Sequence, residues 1–154
     1  HPFEDTIINQ YKKREQLFPG TDVLPEFELK TYKAIQTGGG GKDDRIKDWF
    51  EALEWMKHEI DKVDYDVCIL GCGAYGFPLA AHCKRMGKQA IHLGGSLQLL
   101  FGIIGNRWAN PHYGVKEWGI PEGLYSNIIN EYWVRPGQKE RPKNADKIEG
   151  ACYW

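Results

Sequence analysis

Hydrophobic residues along the chain fall into a few short periodic segments separated by glycine-rich or polar ones. Between Asp5 and Phe18, Ile7, Ile8, Tyr11, Leu17 and Phe18 share one helical face, with Asp5 placed to cap and Pro19-Gly20 to stop. The spacing predicts an amphipathic helix. Residues 27–36 alternate enough to predict a strand, which runs into the four glycines Gly38–Gly41. A stronger helix follows, with Ile46, Trp49, Phe50, Leu53, Met56 and Ile60 at three- and four-residue intervals and Asp43 and Asp44 at its positive end. Tyr65–Leu70 is a short apolar run of the kind buried in a parallel sheet. Helix is expected again over Phe77–Met86, with Pro78 tolerated in the first turn and Gly87 as the stop. A strand at Gln89–Leu93 and a helix at Ser96–Ile104, with Ser96 as N-cap, complete the order β-α-β-α-β-α.

Beyond Gly105 the periodicity dissolves into an aromatic, loop-like stretch, a short helical candidate at Leu124–Tyr132, and a polar tail over 133–154. The tail ends in Cys152-Tyr153-Trp154, and terminal aromatics of this kind are expected to dock on the surface rather than dangle. The pattern as a whole predicts one α/β domain over 1–154, a Rossmann-like three-layer arrangement with a mainly parallel sheet.

Composition narrows the class. With 154 residues, 42% hydrophobic and 27% charged, the chain suits a single domain with a sizeable core. A formal net charge of -1 gives no global field for nucleic acid or membrane. No apolar run approaches the roughly 20 residues of a membrane-spanning helix. Four cysteines without zinc-type pairing or a dense framework point to a reducing, cytoplasmic setting. The opening His1-Pro2-Phe3 carries no methionine or signal-type leader, which suggests a processed chain or a piece of a longer one.

The candidate chemistry lies in "DVCILGCGAYGFPLAAHCKRMGKQAIHLGGS", residues 66–96. Gly71-Cys72-Gly73-Ala74-Tyr75-Gly76 fits G-x-G-x-x-G between a predicted strand and a predicted helix, a context that favours phosphate binding by free helix-end amides. The alternative is a close-packed turn with no ligand. Gly94-Gly95-Ser96 follows the next strand and shares its carboxyl-end rim. A third glycine loop, Gly38–Gly41, falls on the same rim but reads as a flap, since Asp43 and Asp44 would repel phosphate.

Charge points to the same place. No Asp or Glu stands between Val67 and Lys116, where Lys84, Arg85, Lys88, Arg107 and Lys116 are the only charged side chains. Arg107, in a loop, is the phosphate donor with the best-matched geometry. The three cations near the helix end fit a dipole role equally well. A nicotinamide dinucleotide normally requires an acidic residue about 20 positions along, and here the second strand ends His92-Leu93-Gly94. The expected ligand contacts are therefore Gly71, Cys72, Gly73, Ala74, Tyr75, Gly76, His92, Gly94, Gly95, Ser96 and Arg107.

Catalytic machinery is not visible. Asp64-Tyr65-Asp66 and Glu26-Phe27-Glu28 have carboxylate spacing suited to a divalent cation but precede their strands, on the wrong rim. Cys72 is placed where helix-end amides would lower a thiol's pKa, yet no base partner accompanies it. His82 falls on a helix. Trp49 and Trp55 follow helical spacing and suit a core or interface, whereas Trp108 and Trp118 lie in loops and suit a sugar platform.

Over Asp64–Trp108, the glycine unit resembles bacterial proteins of surface-polysaccharide clusters and, more distantly, the C-terminal part of the GT-D glycosyltransferases. The resemblance implies a Rossmann-like fold that binds a nucleotide-sugar, with Gly71, Gly73, Ala74 and Gly76 along the diphosphate and Gly94 and Gly95 closing the rim. It also implies a divalent cation, Mg²⁺ or Mn²⁺, with the nucleotide-sugar. The family's catalytic Asp-x-Glu lies well N-terminal of this unit and has no match here, so no residue is assigned as catalytic or as a metal ligand. Two other readings stay open: an NAD(P)-binding oxidoreductase, and a non-catalytic interaction domain whose aromatic tail serves a partner or a homo-oligomer.

Overall fold

The β-α-β unit is the best-defined part of the architecture. The computed structural model describes residues 2–154, and in it β1 (Val67–Leu70) and β2 (Gln89–His92) pair in parallel, with Val67 opposite Gln89 and Leu70 opposite His92. Leu93 N–H extends the ladder by donating to Leu70 O at 2.9 Å. Helix α4 (Gly76–Arg85) makes the crossover. It starts with Pro78 in its first turn, and Gly87, at φ +79°, turns the chain back towards β2.

Helix α3 (Trp49–Asp61) lies beside α4, where His82 Nε2 and Asp61 Oδ1 meet at 2.8 Å. Its N-cap is Asp48, whose carboxylate accepts from Glu51 N–H while Glu51 accepts from Lys47 N–H. The predicted start at Asp43–Ile46 is therefore too early: Asp43 instead closes a turn on Arg45.

Helices α3 and α4 cover the same face of the sheet. Leu70, Leu79 and Cys83 join Ala52, Leu53, Met56 and Ile60 in one core, with Cys68 and Ala90 packed against it. The other face bears Val67, Ile69 and Ile91, which are all exposed. The chain is thus a mixed helix–strand structure with a two-stranded parallel sheet. It departs from the expected larger parallel sheet because residues 27–36 run extended without forming a ladder. Tyr11 Oη takes Phe27 O and N–H as partners, and Lys30 Nζ reaches Asp64 O, so this segment is tied by side chains rather than by a strand neighbour.

A second core joins the two ends of the chain. It contains Phe3, Ile7, Leu17, Leu97, Phe101, Ile103, Trp133, Ala145 and Trp154. The predicted N-terminal helix is broken at Lys12-Lys13 into α1 (Glu4–Tyr11) and α2 (Arg14–Leu17). Asp5 does not cap α1. That role falls to the buried Glu140, which accepts from Thr6 N–H at 3.2 Å and from the Thr6 hydroxyl.

Helix α5 is only Leu97–Leu100, because Gly102 turns at φ +60° with Leu17 packed where a side chain would stand. Short helices α6 (Asn106–Ala109) and α7 (Val115–Trp118) follow. The expected helix at 124–132 is reduced to a 3₁₀ turn, Ser126–Ile128. Among the described residues, no helix is long and apolar enough to cross a membrane.

Candidate functional site: the glycine rim

Gly71–Gly76 and Gly94–Ser96 both follow the carboxyl ends of paired parallel strands, so they lie on one rim of the sheet. Each forms a 3₁₀ turn into a helix, Gly73–Tyr75 before α4 and Gly94–Ser96 before α5. No strand precedes the Gly38–Gly41 loop, and the Thr37 hydroxyl at its head meets Tyr75 Oη at 3.5 Å. A side chain at Gly39 would meet Asn144 O at 2.9 Å, and one at Gly38 would meet Ile148, so this loop packs on the tail instead of forming a flap.

The three glycines of the motif are glycine for different reasons. A Cβ on Gly71 would come 2.6 Å from Leu97 Cδ2 and 3.0 Å from Gly94 O, so Gly71 lets the two loops touch. One on Gly76 would overlap the imidazole of His92, which lies across the start of α4. That ring is held by Leu70 O at 3.2 Å from Nδ1 and by the Phe77 ring at 5.0 Å. Only Gly73 faces open space. It is exposed at φ +55°, a conformation that disfavours other residues. In the neighbouring loop Gly94, at φ +57°, has only His92 Cε1 nearby, at 3.9 Å.

The remaining predicted contacts divide in the same way. Ala74 is exposed beside Gly73, and the amides of both precede Tyr75, whose own N–H is used by Cys72 O at 3.2 Å. Tyr75 is buried and stacks on Trp49 at 5.2 Å and 7°, so its ring belongs to the core rather than to a ligand. Ser96 stands at the head of α5 and is exposed, but its side chain makes no capping bond. Burial pushes the Cys72 thiol up, against the lowering expected from its place in the loop.

Arg107 does reach the rim, but it arrives occupied. Its guanidinium pairs with Glu149, donates to Cys152 Sγ at 3.2 Å, and lies over the rings of Tyr153, Tyr113 and Trp108. Tyr153 and Arg107 also flank Gly95, where a Cβ would meet Tyr153 Cε1 at 2.8 Å and Arg107 Nη1 at 3.5 Å. The C-terminal segment therefore walls one side of the rim. It is anchored by Gln98 Nε2 donating to Tyr153 O at 2.8 Å and by Arg107 N–H donating to Cys152 O at 3.0 Å. Trp108, expected as a loop platform, is buried in α6 with its indole bonded to Gln98 Oε1, whereas Trp118 is exposed.

Sequence reasoning did not foresee the apolar cleft of about 620 Å³ beside β1. Phe27, Leu29 and Tyr32 of the extended segment line it together with Met56, Ile60 and the length of β1, and it reaches Gly71 and Cys72 at the rim. It exists because 27–36 stays unpaired alongside β1. Among the described residues, no group of three or more His, Cys, Asp or Glu side chains is arranged to hold a metal ion. No protein-family model, no curated protein and no solved structure matches the chain.

Proposed function

We propose that the chain binds the diphosphate of a nucleotide-sugar at the rim formed by Gly73, Ala74 and Gly94, as the donor-binding part of a glycosyltransferase of surface-polysaccharide synthesis. In this reading the β1–α4–β2 unit is the nucleotide-binding portion of a Rossmann-like three-layer fold. The observation that carries it is Gly73: a left-handed glycine with open space before it, at the carboxyl end of a parallel strand and the entrance to a helix. Backbone amides approach a phosphate without side-chain interference there, and His92 stands between the two loops as a polar wall.

A packing-turn reading is favoured by a different observation, since Leu97 and His92 account for Gly71 and Gly76 without any ligand. The two are separated by a matched pair of variants. Gly73 and Gly87 are both left-handed with nothing near a would-be Cβ, but Gly87 lies at the other end of α4. Replacing either by Ala costs roughly 1–2 kcal/mol in backbone strain. Thermal shifts are measured with nucleoside diphosphates, nucleotide-sugars, NAD and NADP, each with and without Mg²⁺ or Mn²⁺. The expected result is a nucleotide-sugar shift in the parent and in Gly87→Ala that disappears in Gly73→Ala. A shift with NAD or NADP alone would replace this reading by the oxidoreductase one. An equal shift in both variants, or none in the parent, would overturn the site.

A further inference from the structure

We propose that the cleft beside β1 binds an extended peptide segment, which enters as an added strand between β1 and residues 27–32 and places a basic side chain beside Asp66. The inference does not depend on the nucleotide-sugar reading, because it uses the free edge of β1 and not the open glycine Gly73.

The position of the cleft marks the vacant place of a strand. β1 has one ladder partner, β2, so its second edge is unpaired. Leu70 O accepts from Leu93 N–H on the β2 side, and alternation along a strand turns the backbone groups of Val67 and Ile69 to the free edge. The cleft runs along that edge. Its lining takes Cys68 and Leu70 from the face packed on α3, takes Val67 and Ile69 from the exposed face, and includes no residue of β2. The opposite wall is the extended segment 27–32. Among the described residues, no backbone group of 28–32 bonds to another backbone group. Two extended segments thus flank one cleft, and neither has a strand partner on that side. An edge of this kind is a template for pairing with another chain.

The unpaired backbone decides the class of occupant. An aliphatic ligand would cover the apolar walls but leave main-chain donors and acceptors on both sides without partners, whereas a peptide main chain supplies them. A second folded copy cannot bring its own β1 to this edge without displacing 27–32, which stands beside β1 in both copies. The size suits a short segment: the cleft holds about 620 Å³, and four residues of β1 span about 13 Å. On the α3 side the lining is buried and apolar, with Met56 0% and Ile60 8% exposed, so apolar residues at alternate positions of the added strand pack there.

Charge sets the flank. Carboxylates outnumber cations in the lining, with Glu28, Glu59, Asp64 and Asp66 against Lys30. Glu28, Glu59 and Asp64 pair with Lys30, Lys62 and Lys88. Asp66, immediately before β1, is exposed and forms no ion pair among the described residues. An added strand therefore meets an uncompensated carboxylate at the start of β1, which favours Lys or Arg at that point of the peptide.

The test is fluorescence anisotropy of a labelled peptide, Lys-Val-Thr-Val-Thr-Val-Lys with blocked ends, titrated with the full chain, together with hydrogen exchange over β1. The expected result is saturable binding and slower exchange of the Val67 and Ile69 amides. N-methylation of the peptide's valines keeps its charge and apolar side chains but removes main-chain donors, and should weaken binding at least about tenfold. Asp66→Asn changes an exposed side chain and should weaken binding about two- to fivefold. The proposal is overturned by the absence of saturable binding, by equal binding of the N-methylated peptide, by unchanged exchange at Val67 and Ile69, or by an Asp66→Asn titration identical to the parent's. A chain that sediments as a dimer with those amides already protected assigns the edge to a second copy and overturns it as well.

Discussion

Gly76→Ala distinguishes packing from helix propensity, because the two predict opposite signs. Gly76 has helical dihedrals, φ -60° and ψ -47°, so propensity alone makes Ala better there by up to about 1 kcal/mol. The structure places the His92 imidazole where the methyl would go, with His92 Nε2 at 2.6 Å. The ring must swing away and give up two interactions. Its bond to Leu70 O is worth about 1 kcal/mol, with no further penalty because Leu93 N–H still satisfies that carbonyl. The Phe77 edge contact adds about 1 kcal/mol. The net expectation is destabilisation of about 1 kcal/mol, or roughly 2–4 °C in Tm for a chain of this size. In a His92→Ala background the obstacle is gone and the same substitution should stabilise by up to about 1 kcal/mol, a coupling of about 2 kcal/mol. Urea unfolding of the four proteins, followed by tryptophan fluorescence, measures this cycle. The same effect of Gly76→Ala in both backgrounds would refute the packing argument and return Gly76 to the list of ligand-facing glycines.

Two further outcomes follow from buried groups. Gln98→Leu removes the acceptor of the buried Trp108 indole together with the bond to Tyr153 O, and should cost about 1–3 kcal/mol with faster hydrogen exchange over 151–154; a loss under about 1 kcal/mol would show that the tail is held by other contacts. Burial, with Cys83 alongside, pushes the Cys68 thiol up to about 12 from 9.0, so the fold favours the neutral thiol; its contribution is complete below pH 9 and is lost as pH rises towards 12. Cys68→Ala should therefore flatten the alkaline decline of the urea midpoint, and parallel declines in variant and parent would contradict the assignment.

The segments legible in the sequence were those whose partners are close in the chain. β1, α4 and β2 lie within two residues of their expected bounds, because an apolar run, a glycine turn and an i+3/i+4 pattern are local signals. The signal for the start of α3 was also present and overlooked: Asp48 and Glu51 have the reciprocal capping spacing, whereas Asp43 is engaged by Arg45. Residues 27–36 show the limit of periodicity, which reports an extended backbone but not whether a neighbour will pair with it. Docking of the terminal aromatics was expected, but the same limit left their partners unread. Ala145, Ala151 and Cys152 are buried and Trp154 joins Phe3 and Leu97 in a core, through contacts spanning most of the chain that no local pattern encodes. Arg107 was expected at a phosphate because no acid stands near it in sequence; the structure brings it beside Gly95, and the acid that neutralises it is Glu149, 42 positions away.

That distant acid bears on how the rim can hold an anion. With Glu149 on Arg107, the rim offers backbone amides and the positive end of α4 rather than an unpaired cation. A phosphate near Gly95 would compete with Glu149 for the same guanidinium. Displaced, Glu149 would lose the contact that helps hold its own left-handed backbone, in the turn that positions Tyr153 against Gly95. A ligand at Gly95 would thus be linked to the conformation of the 149–154 segment through one side chain. A phosphate held by Gly73 and Ala74 alone leaves this pair intact. The distinction follows from which glycine is open: Gly73 has room for a ligand, while Gly95 already has Tyr153 and Arg107 against it. The motif falls at the carboxyl edge of the sheet, and the packing around each glycine decides which part of that edge is open.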